Sequence, residues 1–91
     1  MSVLEVIFVS EGNCPNCNVI RTALAKVRHE YRHVEVIEVH PDEPRGRSLA
    51  AEHGIRMLPA VIVNGRVRLV GEASERHIRH EVEKARCQKA H

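Results

Sequence analysis

The chain has 91 residues, a formal net charge of +2 and 43% hydrophobic content, which suits one globular domain and is too short for two. One Phe, one Tyr and no Trp leave no aromatic platform for single-stranded nucleic acid. Arg and Lys are interleaved with Glu rather than massed, so no nucleic-acid partner is expected.

The opening MSVLEVIFVS lacks a basic segment, is interrupted by Glu5 and is not followed by a small-residue cleavage site. Nothing approaches the roughly 20 apolar residues of a membrane span. A cytoplasmic monomer without membrane contact is the expectation. Val3 to Val9 is β-branched and almost continuously apolar, the pattern of a strand covered on both faces. From Pro15 the period changes: Ile20, Ala23, Leu24, Val27 and Tyr31 form one helical stripe, with Arg21, Lys26 and Arg28 opposite. HVEVIEV (residues 33–39) returns to strand. A whole helix separates the two strands, which predicts parallel neighbours in a right-handed βαβ unit.

Pro44 can open a short helix over about 45–53, with Leu49 and Ala50 inward and Gly54 as the left-handed C′ residue before apolar Ile55. Ala60–Val63 and Val67–Val70 flank Asn64-Gly65, a hairpin signal because a type I′ turn needs positive φ at both central positions. Ser74 is the predicted N-cap of a last helix, with Glu75 in its first turn and Ile78, Val82 and Ala85 as its apolar stripe. Ile20, Leu24, Ile62 and Val70 are assigned to the core. The order β-α-β-α-β-β-α predicts an α/β fold, a mixed four-stranded sheet with helices on both faces, residues 1–91 forming one domain.

Chemistry concentrates in VSEGNCPNCNVI. Three cysteines cannot all pair within one chain, and lasting structural disulfides are rare in the cytosol. Cys14 falls at or just before a helix N-cap, with Pro15 at N1, where a missing N–H costs nothing. Helix starts offer unpaired N–H groups and about half a positive charge. Both stabilise a thiolate, so Cys14 is expected to ionise below the free value of about 8.5. Glu11 opposes that effect, and Asn16 can hydrogen-bond sulfur or backbone. Cys17 lies one turn on, within bridging reach.

From the residues alone the pair is a redox dithiol, a metal-binding or metal-delivery module using the same thiols, or a structural crosslink. A structural zinc site wants four ligands, whereas Cys87 is the only further cysteine and no His pair follows at finger spacing. No metal site is assigned. His29 and His33 read as solvated; His80, Cys87 and His91 read as part of a frayed, exposed basic tail, with a weak transition-metal patch on one helix face as the alternative. Arg56 is either a carboxylate-binding residue or solvated.

Strand, Cys-Pro-x-Cys and helix, followed by AAEHGIRMLPAVIVNGRVRLVGEAS, resemble the thioredoxin-fold redoxins over nearly the whole chain. Length and the Pro directly after Cys14 are glutaredoxin-like. The resemblance implies that Cys14 is the nucleophile, Cys17 the resolving thiol and Pro59 a cis-proline facing them. Leu58 would offer its backbone to an extended substrate or to glutathione, with Asn13, Pro15 and Asn16 on the substrate side and Gly71, Glu72 and Ser74 in a possible glutathione loop. The chain departs from the pattern at Asn13, where thioredoxins carry Trp, at Phe8, where they bury an acid beneath the dithiol, and at Val36, where they place Lys. VGEAS also lacks the glutaredoxin Gly-Gly-x-Asp.

The implied activity is thiol–disulfide exchange with disulfide-containing proteins or small mixed disulfides. Electrons would come from an upstream reductase or glutathione, and no bound cofactor is required. The metal module, and an adaptor that kept the fold without the activity, are the alternatives.

Overall fold

The apolar run near the N-terminus forms β1 (Leu4–Val9), and the computed structural model describes residues 3–12, 14–71 and 74–89. After β1 come α1 (Pro15–Glu30), β2 (Val34–Val39), α2 (Pro44–His53), β3 (Ala60–Val63), β4 (Arg66–Val70) and α3 (Glu75–Lys89). The strands make a four-stranded sheet in the order β2-β1-β3-β4. β1 and β2 are parallel, with Phe8 opposite Glu38 and Val9 opposite Val39. β1 and β3 are antiparallel, with Val9 opposite Ala60. The expected fold class is the one observed.

Alternation along β1 divides the core. Leu4, Val6 and Phe8 join Val61, Val63 and Leu69 against Ile20, Leu24 and Val27 of α1 and Ile78, Val82 and Ala85 of α3. Ile7 and Val9 join Val39, Ala60 and Ile62 on the other face, where Leu49 of α2 packs. Burying each such aliphatic side chain is worth about 1.5–3 kcal/mol, so the face under α1 and α3 supplies most of the stabilisation. α2 contributes less apolar surface, and its one fully buried residue is Gly46.

The local signals act where the sequence placed them. Gly54 ends α2 with φ 63°, and the Ile55 N–H returns to the Ala50 carbonyl at 2.9 Å. Asn64 and Gly65 have φ 48° and 81°, as a type I′ turn requires. Asn64 also pairs with β1: its N–H donates to the Glu5 carbonyl at 2.8 Å, and its Oδ1 accepts from the Glu5 N–H at 2.8 Å. The Ser74 Oγ accepts the His77 N–H at 3.2 Å.

Three expectations are corrected. Val70 is 42% exposed rather than core. It sits opposite Ala60 at the end of the outer strand, and its neighbour Leu69, opposite Val61, takes the core position. Tyr31 packs against the same cluster as the α1 stripe, but as the extended C-cap beyond the helix end at Glu30 rather than as a helical residue. Its ring also lies under Arg86 at 4.1 Å, and its hydroxyl donates to Glu83 at 2.7 Å. The tail expected to fray is helical to Lys89, anchored by buried Val82 and Ala85, with His80 and Cys87 exposed as expected; His91 lies outside the described residues.

A charged clamp joins α1 to α3. Lys26 donates to Glu75 at 3.0 Å, Arg79 to Glu75 at 3.2 Å, and Arg79 pairs with both carboxylate oxygens of Glu30. The hydrogen bond from Arg79 holds Glu30 below its ordinary 4.5, and that from Lys26, then Arg79, does the same for Glu75. A depressed carboxylate stabilises the fold above its unfolded value and loses that contribution as pH falls through the folded value. Thermal stability is therefore expected to drop from about pH 5 toward about pH 3 more steeply in the wild type than in Arg79→Met. Parallel acid limbs in the two melting series would show that the clamp contributes nothing.

Candidate active site

The site lies beyond the carboxyl ends of the two parallel strands, where chains of this topology expose their loops. The Ser10 N–H extends the ladder by donating to the Val39 carbonyl at 2.9 Å. Gly12 then turns the chain with φ 99°, a conformation that a side chain disfavours.

Cys14 is the N-cap of α1 with extended backbone, and Pro15 follows in the first turn. The Cys14 Sγ accepts the Cys17 N–H at 3.0 Å. Its carbonyl accepts the Asn18 N–H at 2.9 Å, closing the first helical turn. A sulfur at this position occupies the place of the usual Ser or Asp cap, and helix-end N–H groups favour its anionic form.

Cys14 and Cys17 are joined by a disulfide, with Cα atoms 5.0 Å apart. They are not equivalent: Cys17 is 0% exposed within the α1 core cluster, whereas Cys14 is half-exposed at its edge. Pro15 is exposed and Asn16 half-buried.

The pairing of Val9 with Ala60 brings the start of β3 to the same end of the sheet. The Leu58–Pro59 peptide there is cis, with Pro59 buried and Leu58 half-buried against the α2-side cluster. The Pro59 carbonyl accepts the Gly71 N–H at 2.6 Å. Exposed Met57 lies beside Gly71, its Cε 3.4 Å from where a Cβ on that glycine would stand. Of the residues expected to form a glutathione loop, Gly71 thus spends its N–H on Pro59 and Ser74 caps α3. Asn13 and Glu72 lie outside the described residues. Arg56 is exposed.

Phe8 is 1% exposed and Val36 packs against the same cluster. The polar groups nearest this end of the sheet are ones the sequence reading passed over. The buried Ser10 hydroxyl donates to Glu38 Oε2 at 2.7 Å and accepts the Gly12 N–H at 3.1 Å. Arg21, expected on the helix face opposite the apolar stripe, donates from Nε to Glu38 Oε1 at 2.9 Å. Its Nη2 reaches Glu38 Oε2 at 2.7 Å and the Gly12 carbonyl at 2.9 Å, and its Nη1 reaches Asn18 Oδ1 at 2.8 Å. The signal available in the sequence was Glu38, a charge inside an otherwise apolar strand end. Among the described residues no group of three His, Cys, Asp or Glu side chains gathers to hold a metal ion. None of the described helices is long and apolar enough to cross a membrane.

A β2-β1-β3-β4 sheet, a cysteine pair capping the helix after its first strand and a proline ahead of β3 define a thioredoxin-fold redoxin. The chain belongs to the thioredoxin-domain family, whose family model matches residues 4–83. No curated protein matches the sequence significantly.

Solved structures share the fold at low identity. Chloroplastic thioredoxin z superposes with a TM-score of 0.74 at 18% identity, over 94% of this chain and 80% of that one. Thioredoxin O2 from Arabidopsis thaliana in its oxidized state gives 0.73 at 17% identity, over 91% and 75%. A malarial protein gives 0.70 at 19% identity, over 91% and 97%. The family, the fold and the close cysteine pair together support a redox function.

Proposed function

We propose that the protein is a thiol–disulfide oxidoreductase that reduces disulfides through Cys14 and Cys17. The observation that carries this reading is the inequality of the two sulfurs: one half-exposed at a helix N-cap, the other buried beside it. In the reduced protein the Cys14 thiolate attacks a substrate disulfide, forming a mixed disulfide and expelling one substrate thiolate. The Cys17 thiolate then attacks the Cys14 sulfur, forming the Cys14–Cys17 disulfide and expelling the second. The substrate disulfide gains two electrons and, on protonation, two protons, while the dithiol loses both.

Pro59 and Leu58, just before β3 at the same end of the sheet as the dithiol, are the residues proposed to offer backbone to an extended substrate chain. The internal use of the Gly71 N–H and Ser74 hydroxyl favours disulfide-containing proteins over glutathione conjugates as substrates. An upstream reductase or glutathione returns the protein to the dithiol state, and the proposed setting is the reducing cytoplasm, with the protein acting as a monomer.

Equilibration against glutathione buffers tests the assignment. The free thiols of Cys14 and Cys17 should disappear together in one two-electron transition, within the range of about −270 to −120 mV spanned by dithiols of this spacing. Absence of that couple sinks the proposal. So does stoichiometric zinc or copper, in protein purified under reducing conditions, that shields Cys14 from alkylation.

A further inference from the structure

We propose that Arg21, Glu38 and Ser10 form a clasp that positions Cys14, holding the turn before the N-cap and thereby setting the nucleophile's thiolate. The inference rests on the dithiol reading of the site. It concerns residues from three separate places: the end of β1, the middle of α1 and the end of β2.

The geometry converges on one short turn. Gly12 is tied at both of its backbone groups, its N–H to the Ser10 hydroxyl at 3.1 Å and its carbonyl to Arg21 Nη2 at 2.9 Å. Both tethers end on Glu38, which takes the Ser10 hydroxyl proton at 2.7 Å and two guanidinium contacts at 2.9 and 2.7 Å. The turn cannot move without breaking these two bonds, whose side-chain ends are fixed in turn by the bidentate charge-assisted Arg21–Glu38 pair. Arg21 is further steadied by Asn18 at 2.8 Å and by the Phe8 ring, 5.8 Å from its guanidinium carbon. Phe8 is also the residue opposite Glu38 across β1 and β2. Ser10 is 0% exposed, so its hydroxyl is a buried polar group that needs these partners.

The consequence for Cys14 follows from its position two residues beyond Gly12. Its sulfur is stabilised by the Cys17 N–H at 3.0 Å, and that bond depends on where the incoming backbone places the cap. With the turn released, the cap wanders and the thiolate loses part of its helix-end stabilisation. The Arg21 and Glu38 side chains are 40% and 31% exposed, and ion pairs this open contribute little to global stability. Its effect is therefore expected in the reactivity of Cys14 more than in the melting temperature. Around Glu38 stand Arg21 and Arg28 of α1 on the rim of a crevice of about 200 Å³, Ser10 from the turn, and His40 just past β2. The hydrogen bond from Arg21 is the main cause holding the Glu38 carboxyl below its ordinary 4.5, with Ser10, the Arg21 charge and the His40 charge adding to it, so the clasp is closed at neutral pH.

A direct field effect and a positioning effect differ in sign. Removing the negative charge of Glu38 leaves Arg21 uncompensated, which through space alone would lower the Cys14 pKa and speed its alkylation. Losing the clasp raises that pKa and slows it. The test measures the pH profile of iodoacetamide alkylation of reduced Cys14 in Cys87→Ser protein, for wild type, Arg21→Met, Arg21→Lys, Glu38→Gln and the Arg21→Met/Glu38→Gln double variant. The expected result is a profile displaced to higher pH in both Arg21→Met and Glu38→Gln, with alkylation at pH 7 slowed about 3- to 10-fold. Arg21→Lys should fall between, because one ammonium cannot hold carboxylate and carbonyl as a planar fork does. The double variant should be no slower than the worse single one, as expected of residues acting as a unit.

Equilibrium with glutathione should shift toward the disulfide form by a similar factor, because the reduced state is stabilised less. Profiles that superimpose on wild type, a faster Glu38→Gln, or a lowered unfolding midpoint with an unchanged profile each overturn the clasp. A wild-type protein with no low-pKa thiol and no two-electron couple overturns the dithiol reading instead, so the two failures are distinguishable.

Discussion

Cys14→Ser is expected to abolish disulfide reduction, and Cys17→Ser to stop the reaction at a covalent intermediate. The two substitutions change the same atom but fall on sulfurs in different environments. Cys14 is half-exposed and accepts a helix-end N–H, so it alone can meet a substrate disulfide. A serine hydroxyl there stays protonated at neutral pH and is a far weaker nucleophile, which predicts a loss on the order of 10³-fold or more.

Cys17 is 0% exposed and reaches only the Cys14 sulfur. Its loss should leave the first attack intact, so that a mixed disulfide between Cys14 and the substrate accumulates and is read as a mass increase reversed by dithiothreitol. Serine at this position places a hydroxyl among Ile20, Leu24 and other apolar side chains, at a cost of about 1–3 kcal/mol if it finds no partner. Cys17→Ala is therefore the parallel variant, with the same trapping expected. Exposed Cys87 should be replaced throughout, since a surface thiol can form mixed disulfides of its own. A Cys14→Ser protein that reduces a protein disulfide at the wild-type rate removes the assignment.

What could be read in the sequence was local. Cys14 with Pro15, Gly54 with Ile55, Asn64 with Gly65, and Ser74 with Glu75 each announce a cap or turn through residues that are neighbours in the chain. Those signals fixed the element order, and the long apolar strand β1 showed that both faces of the sheet are covered. A partner distant in the chain leaves no such local mark. Arg21 lies on the outer side of its helix by periodicity, yet its partner Glu38 is 17 residues away. Val70 has strand character, but on the edge strand it is Leu69, paired with Val61 of the neighbouring strand, that reaches the core.

Gly46→Ala is expected to be the most damaging glycine substitution in the protein, against the usual trend. In a typical helix interior, replacing Gly by Ala stabilises by about 1 kcal/mol. Here Gly46 sits in the first turn of α2, packed on the turn that follows β2. A Cβ at this site would stand 1.9 Å from the His40 carbonyl oxygen, 2.7 Å from the carbon of that carbonyl and 3.1 Å from the Pro41 Cα. All three are backbone atoms, so no side chain can swing aside. The His40 carbonyl is itself held by the Glu43 N–H at 3.1 Å, and the His40 N–H donates to the Glu43 carboxylate at 2.9 Å. Relief requires α2 to lift from the end of the sheet, loosening Leu49 from the cluster around Ile7, Val9 and Ile62.

Overpacking of this kind costs about 3 kcal/mol. After the helix-propensity gain, the net loss is about 2 kcal/mol, out of a total of about 5–14 kcal/mol for a chain of this length. The melting temperature should fall by about 8–16 °C. Gly54→Ala provides the contrast: its φ of 63° is strained for a side chain, but nothing lies within 4 Å of the added carbon, so the cost should stay near 1 kcal/mol. If Gly46→Ala melts at or above the wild-type temperature while Gly54→Ala does not, α2 is not held against the sheet by backbone contact at Gly46. Its attachment would then rest on Leu49 and its apolar neighbours alone.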